Sequence, residues 1–146
     1  MNSKNFYQIF IILLVSLASF DVQNESADSE VSLLVHKTPT CGCCKMWIKR
    51  LEGNGLSTTI QDHTNLQEIK DKYDIKPEYR SCHTGVSKDG FIFEGHIPSQ
   101  YITKFLSEEN PNAIGLSVPG MPLGSPGMEV EGMFTPVSYT HLRAHE

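Results

Sequence analysis

Cys41-Gly42-Cys43-Cys44 and, further along the chain, Cys82-His83 are the residues whose types and spacing could do chemistry. All four cysteines of the sequence fall in these two clusters. Thiolates are nucleophiles and soft metal ligands, and an adjacent imidazole adds a nitrogen donor. Two chemistries fit that set: binding of a soft metal ion, or thiol–disulfide exchange through the CxxC formed by Cys41 and Cys44. Cys43 counts against exchange, because it lies between the outer pair and offers a competing disulfide partner. A purely structural disulfide framework is the plainest alternative. Other common chemistries lack their motifs: Gly-x-x-x-x-Gly-Lys and Gly-x-Ser-x-Gly are absent. A cysteine protease needs one poised thiol and a separate base, which four clustered thiols supply poorly.

Weaker candidates surround these. Pro119-Gly120-Met121 recurs as Pro126-Gly127-Met128, in a stretch whose prolines and glycines specify a turning loop. Met121 and Met128 could be soft donors or a lid over the cluster; apolar filler is an equal reading. His96 and His36 are possible additional metal ligands, although an isolated histidine is more often a hydrogen-bonded structural group. His63 reads as a surface residue, and Trp47 and Phe93 as core.

The elements that must position these residues follow from periodicity. Val31 to His36 is a short apolar run that reads as a buried strand. Cys44, Trp47, Ile48 and Leu51 recur at i, i+3, i+4, i+7, one apolar face of a helix that Gly53-Asn54-Gly55 stops. Leu56 to Gln61 reads as a second strand. Thr64-Asn65-Leu66-Gln67 is a capping box opening a second helix, with Leu66, Ile69 and Tyr73 inward. His83 to Ser87 and Phe91 to Gly95 form a hairpin across Lys88-Asp89-Gly90. Pro98 begins a third helix with Tyr101, Ile102, Phe105 and Leu106. The expected domain is α/β, a mixed four-stranded sheet with flanking helices and a C-terminal Pro/Gly/Met-rich loop. Its order, βαβ, helix, hairpin, helix, resembles the thioredoxin fold, with the CxxC between the first strand and the first helix. Such a fold brings the loop Arg80-Ser81-Cys82-His83-Thr84 against the CxxC. It also puts the first cysteines at a helix N-terminus, where free N–H groups favour thiolate.

Both ends of the chain are read apart from this domain, which spans 31–136. Residues 1–18 have the form of a secretory signal peptide: Lys4, an apolar run from Ile9 to Leu17, and a Ser16-Leu17-Ala18 cleavage site. The run is shorter than the ~20 residues of a membrane span, and no cysteine near it could carry a lipid anchor. Residues 19–30 read as an acidic, flexible leader. Residues 137–146 match the translation of a sequencing-library transposon adapter, read GTC TCT TAT ACA CAT CTC CGA GCC CAC GAG. They are expected to add nothing to fold or function, so His141 and His145 are not counted as ligands. Setting aside Lys4, Arg143 and Glu146 turns twelve basic and seventeen acidic residues into ten and sixteen, a net charge of −6. That balance argues against nucleic acid and against an anionic membrane surface.

Four blocks carry a specific resemblance: Thr38-Pro39-Thr40-Cys41-Gly42-Cys43-Cys44, Arg80-Ser81-Cys82-His83-Thr84, Glu94-Gly95-His96-Ile97-Pro98, and the stretch from Val118 to Glu129. They resemble, in order, the signature blocks of a periplasmic metal-binding family long labelled a domain of unknown function. That family includes the CopG-type copper-tolerance proteins. The resemblance implies a thioredoxin-like domain that binds copper through the CxCC cysteines and their neighbours, in the cell envelope. Family members continue into a further strand where this chain carries the adapter-like tail, so a strand is expected to be missing.

Softness then ranks the metals. Several thiolates, an imidazole and nearby thioethers suit Cu(I) best, with zinc as the alternative. Zinc would be satisfied by Cys41, Cys44, Cys82 and His83, leaving Cys43 unexplained, whereas bridging thiolates can hold more than one Cu(I). The expected metal ligands are therefore Cys41, Cys43, Cys44, Cys82 and His83. The expected role is metal binding in envelope copper tolerance rather than catalysis, with metal ions and other copper-handling proteins as partners. A periplasmic thiol–disulfide oxidoreductase is the rival. Against it, such enzymes usually place a cis-proline at the hairpin loop, where this chain has Cys82-His83-Thr84.

Overall fold

The structure, a computed structural model, describes residues 31–131 and 140–143. The expected signal peptide, the leader, and residues 137–139 and 144–146 of the tail lie outside the described residues. Among the described residues no helix is long and apolar enough to cross a membrane.

Strand β1 (Ser32–Lys37) runs into helix α1 (Gly42–Glu52), which returns the chain to β2 (Ser57–Asp62), parallel to β1. Helix α1 buries the expected stripe of Cys44, Trp47, Ile48 and Leu51. It ends as its glycines require: the Gly53 N–H bonds the Lys49 carbonyl at 3.0 Å, and the Leu56 N–H bonds that of Leu51 at 3.1 Å. Helix α2 (Gln67–Lys72) and a 3-10 turn (Pro77–Tyr79) lead to the hairpin β3 (Thr84–Ser87) and β4 (Ile92–Glu94). Helix α3 (Ser99–Ser107) then crosses to β5 (Ala113–Ser117), parallel to β4, and β6 (Thr140–Arg143) pairs antiparallel with β5.

The thioredoxin-like α/β class is as expected, but among the described residues the mixed sheet has six strands in the order β2-β1-β3-β4-β5-β6, not four. β5 escapes a reading by alternation because its ladder is irregular between Ala113 and Gly115. Ile114 therefore packs with one apolar cluster, while Leu116 and Val118 pack with another. β6 corrects a second expectation. Thr140–Arg143, from the adapter-like tail, completes the sheet edge instead of leaving a strand missing, and Leu142 is 2% exposed beside Ile75 and Ile92. Strand pairing uses backbone groups that any sequence has, so a short tail with one apolar residue at the right position suffices.

Helix α2 differs in detail. Thr64 does not cap it; the Asn65 side chain accepts the Gln67 N–H at 2.9 Å. The side chain it buries deepest is Lys70, 2% exposed, rather than Ile69 or Tyr73, which are half-buried. The two sheet faces consequently differ. Leu33, Val35, Trp47, Ile48, Leu51, Phe93, Ile102 and Phe105 form the large apolar core against α1 and α3. The α2 face holds the smaller cluster of Ile75, Ile92 and Leu142 together with buried polar groups.

Leu142→Ala should lower stability by about 2 kcal/mol, the lower end of the cost of emptying a buried leucine site. Urea unfolding followed by circular dichroism measures it; an unchanged midpoint would mean that β6 adds nothing to the fold.

Candidate metal centre

The turn Thr38–Cys41, closed by the Cys41 N–H on the Thr38 carbonyl at 3.2 Å, delivers Cys41 to the N-cap of α1. There its Sγ accepts the Cys44 N–H at 3.3 Å, the helix-terminal stabilisation of sulfur that the sequence implied. Cys41 and Cys44 are joined as a disulfide, while Cys43 and Cys82 are free. The Cys43 Sγ lies 3.6 Å from the Cys41 Sγ. Across the gap, the loop before β3 brings the Cys82 carbonyl oxygen to 3.8 Å from the Cys44 Sγ.

Among the described residues, two overlapping donor groups result. Cys41, Cys43, Cys44 and Cys82 form an all-sulfur set; Cys44, Cys82, His83 and His96 form a mixed set. Within each, the donor atoms lie within 4.8 Å of one another. Cys44 and Cys82 belong to both. The five expected ligands are thus gathered in one place, and His96, a secondary candidate, joins them with its Nε2 3.1 Å from the Cys82 Sγ. The reason is on its other nitrogen. His96 Nδ1–H donates to the Pro126 carbonyl at 2.7 Å, which fixes the tautomer and leaves Nε2 with a free lone pair facing sulfur. His83 lies with its Nδ1 3.3 Å from the Cys82 Sγ and its ring 4.1 Å from that of Trp47.

His36, another secondary candidate, stands apart from the cluster. His36 is 3% exposed, but its Nδ1 lies 2.9 Å from Nε2 of His63. It sits opposite Thr84 in the β1–β3 ladder, on the α2 face. His63 is therefore half-buried and paired, not a plain surface residue. Met121 is 39% exposed and Met128 half-buried in a turn closed by its N–H on the Ser125 carbonyl at 2.8 Å. The loop that carries them reaches the site through backbone. Pro126 offers its carbonyl, and Gly127 packs so closely on α1 that a Cβ would fall 2.6 Å from Trp47 N and 2.8 Å from Cys43 O. The role of the Pro126 carbonyl was invisible in the sequence, because any residue has that group.

Burial acts oppositely on the two donor types. It pushes the Cys82 thiol up to about 12, with the neighbouring Cys43 adding to the rise. It holds His83 well below the usual histidine value, helped by His96 and Lys70. His96 is lowered too, by burial, against the opposing pull of the Pro126 carbonyl and Glu129. The imidazoles are thus neutral donors, while Cys82 must lose a proton before it can bind metal.

The comparisons with known proteins agree with this architecture. A family model described as "Protein of unknown function, DUF411" matches residues 79–128. Two solved structures of the copper resistance protein CopG are similar. Form 2 is 39% identical, covering 77% of this chain and 89% of that one, with a TM-score of 0.72. Form 1 is 38% identical, covering 78% and 89%, also with a TM-score of 0.72. This chain belongs to the CopG family. No curated protein sequence matches it. In CopG-family terms, the DUF411 match begins at the turn before Cys82 and ends at Met128, so it takes in Cys82, His83, His96 and the Pro126 loop but not the CxCC.

The protonation states set a pH dependence with a definite sign. A metal ion that binds the Cys82 thiolate competes with a proton held throughout the neutral range, so uptake tightens as pH rises, about tenfold per unit for each proton displaced. His83 and His96 contribute no such competition. Between about pH 6.5 and 8.5, Cys82→Ser should reduce the slope of log affinity against pH by about one, and His96→Ala should leave it unchanged. Chelator competition across that range measures both; a slope unaffected by Cys82→Ser would refute the assignment.

Proposed function

We propose that this protein is an exported copper-binding protein of envelope copper tolerance. In it Cys41, Cys43, Cys44, Cys82 and His83, joined by His96, take up Cu(I). The observation that carries the reading is the pair of donor groups sharing Cys44 and Cys82. One Cu(I) needs two or three sulfurs, so four thiols and two neutral imidazoles exceed a single ion's demand. Shared thiolates are the atoms that can bridge to a second ion, which favours a small cluster. The similar structures are of a copper resistance protein, which supports copper over zinc. The signal-peptide pattern of residues 1–18 supports export to the periplasm, where no stable membrane association is needed after cleavage. Other envelope copper-handling proteins are the natural partners for such a cargo.

Copper loading uses thiolates, so the Cys41–Cys44 disulfide marks the oxidised, non-loading form. That same disulfide is the one observation that favours the second reading, a thiol–disulfide oxidoreductase. The two readings separate experimentally. After anaerobic reduction and purification, elemental analysis should find more than one copper per chain, and Cys82→Ser should lower that content sharply while leaving the apo fold intact. Full copper content in all four single Cys→Ser variants would place the site elsewhere. In an insulin-reduction assay, turnover should stay far below that of a dedicated exchanger. Rapid turnover that survives Cys43→Ser and Cys82→Ser would favour the oxidoreductase.

A further inference from the structure

Glu94 is fully buried at the end of β4, and the donor set above gives it no part. Its two oxygens bracket the Cys82–His83 dipeptide. Oε1 accepts the backbone N–H of Ser81 at 2.5 Å, and Oε2 accepts the hydroxyl of Thr84 at 2.6 Å. Lys70 reaches in from α2, ion-paired with the same Oε1 and donating to the Thr84 hydroxyl oxygen at 3.2 Å. The next residues extend the grip. The Gly95 N–H bonds the His83 carbonyl at 3.1 Å, and His96 stands against the Cys82 sulfur. Gly95 has φ +82°, and a Cβ there would fall 2.6 Å from the Val118 carbonyl oxygen and 2.7 Å from Ser81 Oγ. Only glycine lets the Ser81 loop close so tightly.

A buried ion pair is a poor device for stability alone, since apolar residues of equal volume often do as well or better. What a carboxylate adds is acceptor capacity: it can hold donors from two chain positions at once and fix the distance between them. Here those positions are the residues on either side of Cys82 and His83. We propose that Glu94, neutralised by Lys70 and linked to Thr84, positions Cys82 and His83 as metal donors from the α2 face of the sheet. The clamp rests on the copper reading above for its purpose. Its geometry can be tested without copper.

Three variants of the full chain, reduced and anaerobic, make the test. Thr84→Val removes one arm of the clamp, and Thr84→Ser keeps it. Lys70→Met with Glu94→Gln removes both charges together, so that no unpaired charge is left buried. Alkylation of the apo protein by iodoacetamide, read by peptide mass spectrometry, should show Cys82 reacting about tenfold faster relative to Cys43 in Thr84→Val and in the double variant, and near the parent rate in Thr84→Ser. Cu(I) affinity, by competition with a chromophoric chelator, should fall about 10–100-fold in the same two variants, the usual effect of losing an outer support of a metal ligand. Thr84→Ser should retain it.

The proposal is overturned if Thr84→Val and Thr84→Ser are alike in both measurements. It is equally overturned if Cys82 is released but Cu(I) affinity holds. Should the double variant fail to fold, the Thr84 pair makes the same decision. Should the parent protein take up no Cu(I), the copper reading fails, and the alkylation rates alone decide whether the clamp exists.

Discussion

The indole of Trp47 is packed among His83, Gly85 and the Ile97 carbonyl, and the parts of the site are held in register through it. It is fully buried, donates its Nε1–H to Ile97 at 2.7 Å, and lies 3.5 Å from where a Cβ on Gly85 would stand. Its backbone nitrogen is also the atom on which Gly127 closes. Helix α1, strand β3, the lead into α3 and the Pro/Gly/Met loop therefore meet at one residue. Burying a side chain of this size contributes about 4–6 kcal/mol before any entropy is counted. That is enough to fix α1 firmly against β3. Cys43 and Cys44 lie in the turn of α1 just before Trp47 and His83 lies against its ring, so the distance between the two halves of the donor set is set by this packing.

Around that fixed point the protein holds its donors in different states of readiness. The imidazoles are dry and neutral, and His96 is oriented by a carbonyl from the far loop. The sulfurs are not uniform. Cys41 sits at a helix terminus that welcomes negative charge, while Cys82 sits where burial resists it. A soft cation entering between them would offset the thiolate charge that burial disfavours at Cys82. On the proposed copper reading, loading is tied to both proton release at Cys82 and the reduced state of Cys41 and Cys44.

The sheet also separates two kinds of interior. Against α1 and α3 lies an ordinary apolar core, including the edge-to-face contacts of Phe91 and Phe93 with Phe105. Against α2 lie Lys70, Glu94 and Thr84, with the His36–His63 pair near Tyr73. The helix carrying the CxCC is thus anchored by apolar packing, which tolerates no displacement without cavities. The loop carrying Cys82 is anchored by directional polar bonds, which set the position of a backbone that has no strand partner among the described residues.

What the sequence determined by itself was local. The CxCC at a helix start, the i, i+3, i+4, i+7 stripe of α1, the parallel crossover to β2 and the β3–β4 hairpin all follow from spacing within a few residues. The meeting of the two cysteine clusters followed from connectivity, because a βαβ unit and a hairpin leave few ways to close one sheet. Other features depended on partners far away in the chain. Nothing local marks Lys70 as buried, because its partner Glu94 lies 24 residues on. His96 is an isolated histidine until the Pro126 carbonyl, 30 residues on, fixes its tautomer. β5 was hidden by its own irregularity, and β6 by a tail whose few apolar residues gave no strand signal. Local pattern records which face of an element is apolar. It does not record which buried polar group will find a partner, since that depends on three-dimensional distances that only the closed sheet and its packed helices establish.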